Sequence, residues 1–280
     1  MLKQRVITAL ILLAILLPAL FAPMAWPFAV ITLAGIGAAG WEWGRLNGAS
    51  GNAAIAMGVL LALACGAAYM VGWAGGAPSG AWWLATLVWV LGGAWALKAG
   101  PAGWPHLSKA LRWALGLVAL WTAWLALTNA KATGINFILS VFCLVWAADI
   151  AAYFGGRTFG KRKLAPAISP GKSWEGVWSG MAGVLVLAVA WVAFDRAMAV
   201  DSTNFSFYSQ LQEHHGWLGV VLVCIFLSAM SVVGDLVESL VKRSAGAKDS
   251  SALLPGHGGV LDRIDALLPV FPLALAMSSL

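Results

Sequence analysis

The sequence predicts an all-α, polytopic transmembrane protein of about nine spans, with a cytoplasmic N-terminus and a periplasmic C-terminus. Three observations predict this class. Mean hydropathy is +0.86. Of 280 residues, 61% are hydrophobic and only 10% are charged, where a soluble domain carries about 25% charged residues. Apolar runs close to the ~20 residues of a membrane-crossing helix recur along the chain. Seventeen tryptophans suit two membrane–water interfaces. The net charge of +6 sits in short loops between apolar runs and does not point to nucleic acid. Cys65, Cys143 and Cys224 each lie in an apolar run without a partner at metal-ligand spacing, and read as small buried hydrophobes.

The first segment, 6–22, follows Lys3 and Arg5. It imitates a secretory signal, with cleavage conceivable near Ala22 or Ala25, but further spans follow and it reads as an uncleaved helix with a basic cytoplasmic flank. The next segments are 27–44, 54–73, 81–98, 110–128, 136–156, 175–194 and 217–235. The ninth, 266–280, is short and carries Pro269 and Pro272. With the N-terminus inside and strict alternation, 15 of the 17 basic residues fall on the cytoplasmic side, and only Lys131 and Arg196 fall outside. That asymmetry is what the positive-inside tendency asks. The outside loop 195–216 holds Asp195, Arg196, Asp201, Glu213, His214 and His215; it reads as a solvated loop, with a weak metal site as the alternative. Lone His106 receives no role. There is no clear internal repeat. Polar chemistry is concentrated after residue 145, which divides the chain into an N-terminal scaffold half, 1–135, and a C-terminal catalytic half, 136–280.

Three clusters carry that chemistry. Asp149, Tyr153 and Arg157 are spaced i, i+4, i+8 and line one helix face as it leaves the membrane. An acid inside a span is a functional candidate by default; the plainer alternative is an Asp–Arg surface pair. The second cluster is Lys161-Arg162-Lys163 followed by Ser169-Pro-Gly-Lys172-Ser-Trp-Glu175-Gly. The triplet is a topology signal or an anionic-lipid contact. The Ser169–Ser173 turn, just before a helix start, offers backbone N–H groups and Lys172 to a phosphate. It is no Walker A loop, because Pro166 stands where that motif needs glycine and no strand precedes it.

The third cluster runs from the end of the eighth segment. Asp235, Glu238, Ser239 and Lys242 share one helix face. The 27 residues from Ser239 to Asp265 then hold four cations (Lys242, Arg243, Lys248, Arg263), three acids (Asp249, Asp262, Asp265) and His257. Gly256, Gly258 and Gly259 flank His257 and allow close backbone approach to a ligand. Asp235 and Glu238 are hard oxygen donors of the kind Mg²⁺ takes one or two of, completing its shell with water and substrate phosphate; Asp262 and Asp265 could complete the site. The alternative is a solvated basic loop with helix-capping acids. No Ser/His/Asp set suggests acyl transfer and no Cys/His set suggests zinc. The chemistry on offer is metal-assisted phosphoryl or nucleotidyl transfer.

These residues resemble the signature of the phosphatidate cytidylyltransferase (CDP-diacylglycerol synthase) family. Ser-x-x-Lys-Arg-x4-Lys-Asp-x4-Leu-Pro-Gly-His-Gly-Gly-x-x-Asp-Arg-x-Asp fits 239–265 without a gap. Asp149-x-x-Ala-Tyr153-x-x-Gly156-Arg157 and Ser169-Pro-x-Lys172-Ser-Trp-Glu175-Gly look like its other two blocks. Gly171 and Ser173 depart from the basic residue and threonine that are frequent there. The resemblance is carried by 145–265, and before that only by hydropathy.

The resemblance implies that CTP and phosphatidic acid give CDP-diacylglycerol and pyrophosphate, without a covalent intermediate, in phospholipid biosynthesis at the cytoplasmic side of a bacterial inner membrane. It implies Mg²⁺, with a second, monovalent cation such as K⁺. Asp235 and Asp262 are then the first candidates for the metal centre, with Asp149, Glu238 and Asp265 behind them. Lys172, Lys242, Arg243, Lys248 and Arg263 would neutralise phosphates; Ser169, Tyr153 and Arg157 would join the substrate site. His257 and its glycines would shape the nucleotide site, and Asp249 would be a ligand or a partner of a neighbouring cation. The oligomeric state is open, a homodimer among the alternatives. The rival classes are a CTP-dependent polyprenol kinase or CDP-archaeol synthase, an anion or lipid transporter, and a structural scaffold for lipid synthesis.

Overall fold

A computed structural model describes residues 2–279, the side chains of Leu2 and Lys3 excepted, so the Lys3 share of the charge asymmetry lies outside the described residues. The chain is helical almost throughout. The helices are α1 (Leu2–Phe21), α2 (Trp26–Leu46), α3 (Gly51–Met70), the short α4 (Trp73–Gly76), α5 (Ser79–Gly103), α6 (Lys109–Thr133) and α7 (Ile135–Phe159). A two-stranded hairpin, β1 (Lys163–Ala165) and β2 (Ser169–Ser173), interrupts them. Then come α8 (Trp174–Ala197), α9 (Phe207–Ser244), the single turn α10 (Leu261–Ile264) and α11 (Leu267–Ser278).

Each of the nine expected segments is helical over most of its described residues. Among the described residues seven helices are long and apolar enough to cross a membrane: α1, α3, α5, α6, α7, α8 and α9. α2 has the length but carries Glu42 and Arg45 near its end. α11 has 12 residues, about 18 Å, against a hydrocarbon core of ~30 Å. It is also almost wholly buried, from Leu268 to Met277, with α5, α6, α7 and α9 packed around it. Its apolarity serves the protein core rather than lipid. The lipid-facing surface is instead the long apolar sides of the outer helices, for example Val6, Leu10 and Ile11 of α1 or Val186 of α8.

Two further differences from expectation have simple causes. Ser169–Ser173 is a strand, not a turn: it pairs antiparallel with β1, Lys163 opposite Ser173 and Ala165 opposite Ser169. Pairing claims backbone groups that the sequence reading left free for phosphate, and the Ser173 hydroxyl accepts from Gly176 N–H as the N-cap of α8. In the expected outside loop, 207–216 is already helical, joined to the rest of α9 through a kink at Gly216 (φ 63°). Asp195 is not solvated there. It is 1% exposed and accepts from Asn136 Nδ2, Ser206 N–H and Ser209 Oγ at 3.0, 3.2 and 2.6 Å. His214 and His215 are exposed.

Candidate active site

The first cluster, the Ser169–Ser173 part of the second and the start of the third meet in one cleft of about 530 Å³ between α7, α8, α9 and the hairpin, while Glu175 instead accepts from the Lys161 and Arg162 N–H groups. Asp149, Tyr153 and Arg157 of α7 line one wall, Ser169 and Lys172 of β2 the mouth, and Asp235 of α9 the opposite wall. The i, i+4, i+8 spacing on α7 therefore does face one space. Arg157 donates to the Tyr153 hydroxyl at 3.2 Å. Across the cleft, Lys172 Nζ sits 2.6 Å from Asp235 Oδ2, with both side chains roughly a third exposed at 27% and 30%. Such a pair is open to water and to a competing anion or cation.

The signature loop forms a second, closed centre. Lys242 Nζ lies 2.6 Å from Glu238 Oε2 and 2.6 Å from Asp262 Oδ1. The other Asp262 oxygen accepts from Ser250 N–H at 2.9 Å, Ser250 Oγ at 2.8 Å and Gly259 N–H at 2.7 Å. Burial opposes ionisation of Asp262 most strongly, yet the donors of Lys242, Gly259 and Ser250 overcome it and hold its carboxyl at about 2. Gly258 (φ +83°) makes the tight turn beside it; a Cβ there would stand 2.7 Å from Asp262 Oδ2. Asp262 has both oxygens committed to the protein, so its role as a metal ligand, expected from sequence, would require it to leave these partners.

The two centres touch at Asp265. Gly234 lets α9 pack against the start of α11: a Cβ there would meet the Asp265 carbonyl at 2.5 Å and Pro269 Cδ at 2.9 Å. Asp265 therefore lies beside Asp235. Burial first, and the Asp235 charge second, push its carboxyl up to about 7.

The residue that sequence reasoning missed is Glu42, in the half read as scaffold. It is 0% exposed. Oε1 accepts from Ser251 Oγ at 2.5 Å and Val260 N–H at 3.0 Å; Oε2 accepts from Leu261 N–H at 2.7 Å and Ser250 Oγ at 3.2 Å. One carboxylate thus ties both ends of the loop to α2. The available signal was an acid inside an apolar run, Trp41-Glu42-Trp43, which is costly beside lipid unless partnered. α1 adds two further ties, Arg5 Nε to Gly256 O at 2.9 Å and Thr8 Oγ1 to Pro255 O at 3.0 Å.

The remaining candidates are spread along the loop. Arg263 Nε donates to His257 O at 3.0 Å, and His257 Nδ1 is buried without a partner among the described residues. Arg243 is exposed and donates to Ala247 O at 3.2 Å. Lys248 and Asp249 are exposed.

Among the described residues no three His, Cys, Asp or Glu side chains stand close enough to cage a metal. Mg²⁺ needs no cage; it takes one or two carboxylates and keeps water and substrate phosphate. Asp149, Asp235 and Asp265 are all hard oxygen donors, and the Asp235 charge bears on Asp265. Asp149 opens onto the same cleft as Asp235. Among the described residues Lys172 is the cation paired to Asp235. This donor set fits a hydrated divalent cation.

A family model described as "Cytidylyltransferase family" matches residues 3–280. The chain belongs to the cytidylyltransferase family. Its relatives include the phosphatidate cytidylyltransferase of Pseudomonas aeruginosa, 39% identical over 99% of this chain and 97% of that protein. The phosphatidate cytidylyltransferase of Haemophilus influenzae is 50% identical over 50% of this chain and 44% of its own length. That of Bacillus subtilis is 41% identical over 51% and 48%. The match therefore extends across the N-terminal helices, where sequence reading had only hydropathy to go on.

Proposed function

We propose that the chain is a phosphatidate cytidylyltransferase working at the cytoplasmic face of a bacterial inner membrane. A phosphate oxygen of phosphatidate attacks the α-phosphorus of CTP in line. The bond from that phosphorus to the β-phosphate bridge breaks, and pyrophosphate leaves with the electron pair. The products are CDP-diacylglycerol and pyrophosphate. The observation that carries this reading is the convergence of Asp149, Arg157, Lys172 and Asp235 in one cleft at the end of apolar helices. A cytosolic triphosphate and a lipid phosphate can both reach such a place.

In this reading Lys172 and Arg157 bind the triphosphate, and their charge draws anions toward the cleft. Lys172 leaves Asp235 as it does so, which frees a carboxylate as the anion arrives. Asp235, with Asp149 or Asp265, would hold Mg²⁺. When bound, the ion would neutralise phosphate charge and orient the triphosphate. Lys242, Glu238 and Asp262 keep the signature loop in shape, and His257 with Gly256 and Gly258 present its apex. The excess of basic residues on one side supports a cytoplasmic N-terminus and signature loop, and in this reading α10–α11 enter the bundle from that side.

The test is a product assay with purified protein, phosphatidate, Mg²⁺ and α-labelled CTP, with and without EDTA. Metal-dependent label in the lipid phase with matching pyrophosphate is expected. CDP and unlabelled lipid phosphate would mean kinase chemistry instead. CTP left unconsumed by folded protein would remove the enzyme reading.

A further inference from the structure

A second cavity, of about 350 Å³, is lined on α7 by Phe142 and Trp146, on the same helix stripe as Asp149 and Tyr153 of the cleft. It is an apolar groove between α1, α2, α6, α7 and α11, with Ile15, Gly35, Trp124, Trp146 and Phe271 among its walls. Ile15 and Trp146 are 49% and 52% exposed, so the groove opens sideways toward lipid between α1 and α7. Its cytoplasmic end is closed by the signature loop itself, through Leu254, Val260 and Arg263.

Two guanidinium groups bind the loop that closes that end, Arg263 within the groove lining and Arg5 from α1. Arg263 and Arg5 each give Nε to a loop carbonyl, of His257 and Gly256 respectively. Neither has a carboxylate partner among the described residues, so both keep terminal N–H groups for an anion. Arginine presents these as a planar fork suited to phosphate. On α10, Arg263 and Ile264 line the groove, while Asp262 turns to Lys242 and Asp265 lies beside Asp235. A single helical turn thus separates the closed end of the groove from Asp262 and from Asp265, which lies beside Asp235.

We propose that this groove binds phosphatidate, one acyl chain in the apolar channel and its phosphate at Arg5 and Arg263, next to the cleft that holds CTP. The proposal rests on the cytidylyltransferase reading for the identity of the lipid. α1 is then both the outer wall of the lipid site and, through Arg5 and Thr8, a clamp on the signature loop.

The groove can be filled from inside. A Cβ on Gly35 would meet nothing closer than Val260 Cγ1 at 4.0 Å, so Gly35→Phe projects a ring into the channel without a backbone collision. With dioleoyl phosphatidate its KM should rise about tenfold, the equivalent of a few lost methylene contacts. With dihexanoyl phosphatidate, and for CTP, KM should stay within about twofold of the parent. Equal loss on both lipids, or loss on neither, overturns the proposal.

A second arm needs no turnover. Phosphatidate with a diazirine in its acyl chain should label peptides of α1, α2 and α7 around Ile15, Gly35 and Trp146, and a phosphatidylcholine probe of the same chain should not. Equal labelling by both probes would make the groove a site for any bilayer lipid, and labelling elsewhere would empty it; either overturns the proposal. This arm also decides if Gly35→Phe fails to accumulate. If the labelling holds while no CDP-lipid forms, the groove stands and the catalytic reading falls.

Discussion

Two carboxylates a few helical turns apart in this protein face opposite situations. Asp235 has a lysine at 2.6 Å in an open cleft, and both partners are about a third exposed. Asp262 has a lysine, a hydroxyl and two backbone N–H groups on its two oxygens. The sequence ranks them equally, as the leading metal candidates. The structure separates them by what each has left to offer. An open pair exchanges partners when substrate arrives; a saturated carboxylate holds its neighbours in place. The cleft should therefore govern rate, and the loop knot should govern stability first and rate second.

The sharpest way to test that division is Asp235→Asn. It should lower turnover by at least about a hundredfold, the scale of losing a charge that organises a phosphoryl transition state, while the unfolding temperature in detergent moves little. Asp262→Asn should show the reverse order of effects. It removes one of the two carboxylates on Lys242 in a buried cluster, where breaking a pair costs about 3–5 kcal/mol. Lower yield and a clear drop in unfolding temperature are expected, with activity lost alongside. If Asp262→Asn unfolds like the parent yet is inactive, the metal role foreseen from sequence regains its place and the division breaks.

Glu42→Gln comes next. Its two oxygens serve four donors, and an amide can serve only part of them. Each buried group left unsatisfied costs about 1–3 kcal/mol. Thermal stability should fall and KM for CTP should rise as the loop loosens, whereas a mere packing role would lower stability alone. Lys172→Ala should raise KM for CTP by about tenfold, the worth of one charge-assisted contact, with no loss of stability, because an exposed pair contributes little.

The smallest expected effect is in pH. The folded-state carboxyl of Asp262 is depressed to about 2 below an ordinary value near 3.9. Its contribution to stability is full above about pH 4 and is lost as pH falls toward 2. The acid limb of a stability profile should therefore be shallower in Asp262→Asn than in the parent. Lys131→Ala, at the opposite end of the molecule, should leave turnover unchanged.

What was legible in the sequence follows from the range of each interaction. The α7 face of Asp149, Tyr153 and Arg157 is a local spacing, and helix geometry alone puts the three side chains on one cleft wall. The apolar segments are equally local. The β1–β2 pairing was missed because Ser-Pro-Gly-Lys-Ser has the composition of a turn; only the partner strand, with Lys163 opposite Ser173, makes it extended. The Glu42 clamp was invisible because its donors lie 208 to 219 residues away, and no periodicity encodes such a contact. The same applies to Arg5 and Thr8. The first half of the chain looks plain because its few polar residues act on partners in the second.

The most direct test of the central claim is to find where CTP sits. A photoreactive CTP analogue should label peptides holding Tyr153–Arg157, Ser169–Ser173 or Ser228–Asp235, and unlabelled CTP should compete the label away. Competed label confined to the exposed Lys248–Asp249 turn, or to any surface outside the cleft, would contradict the account.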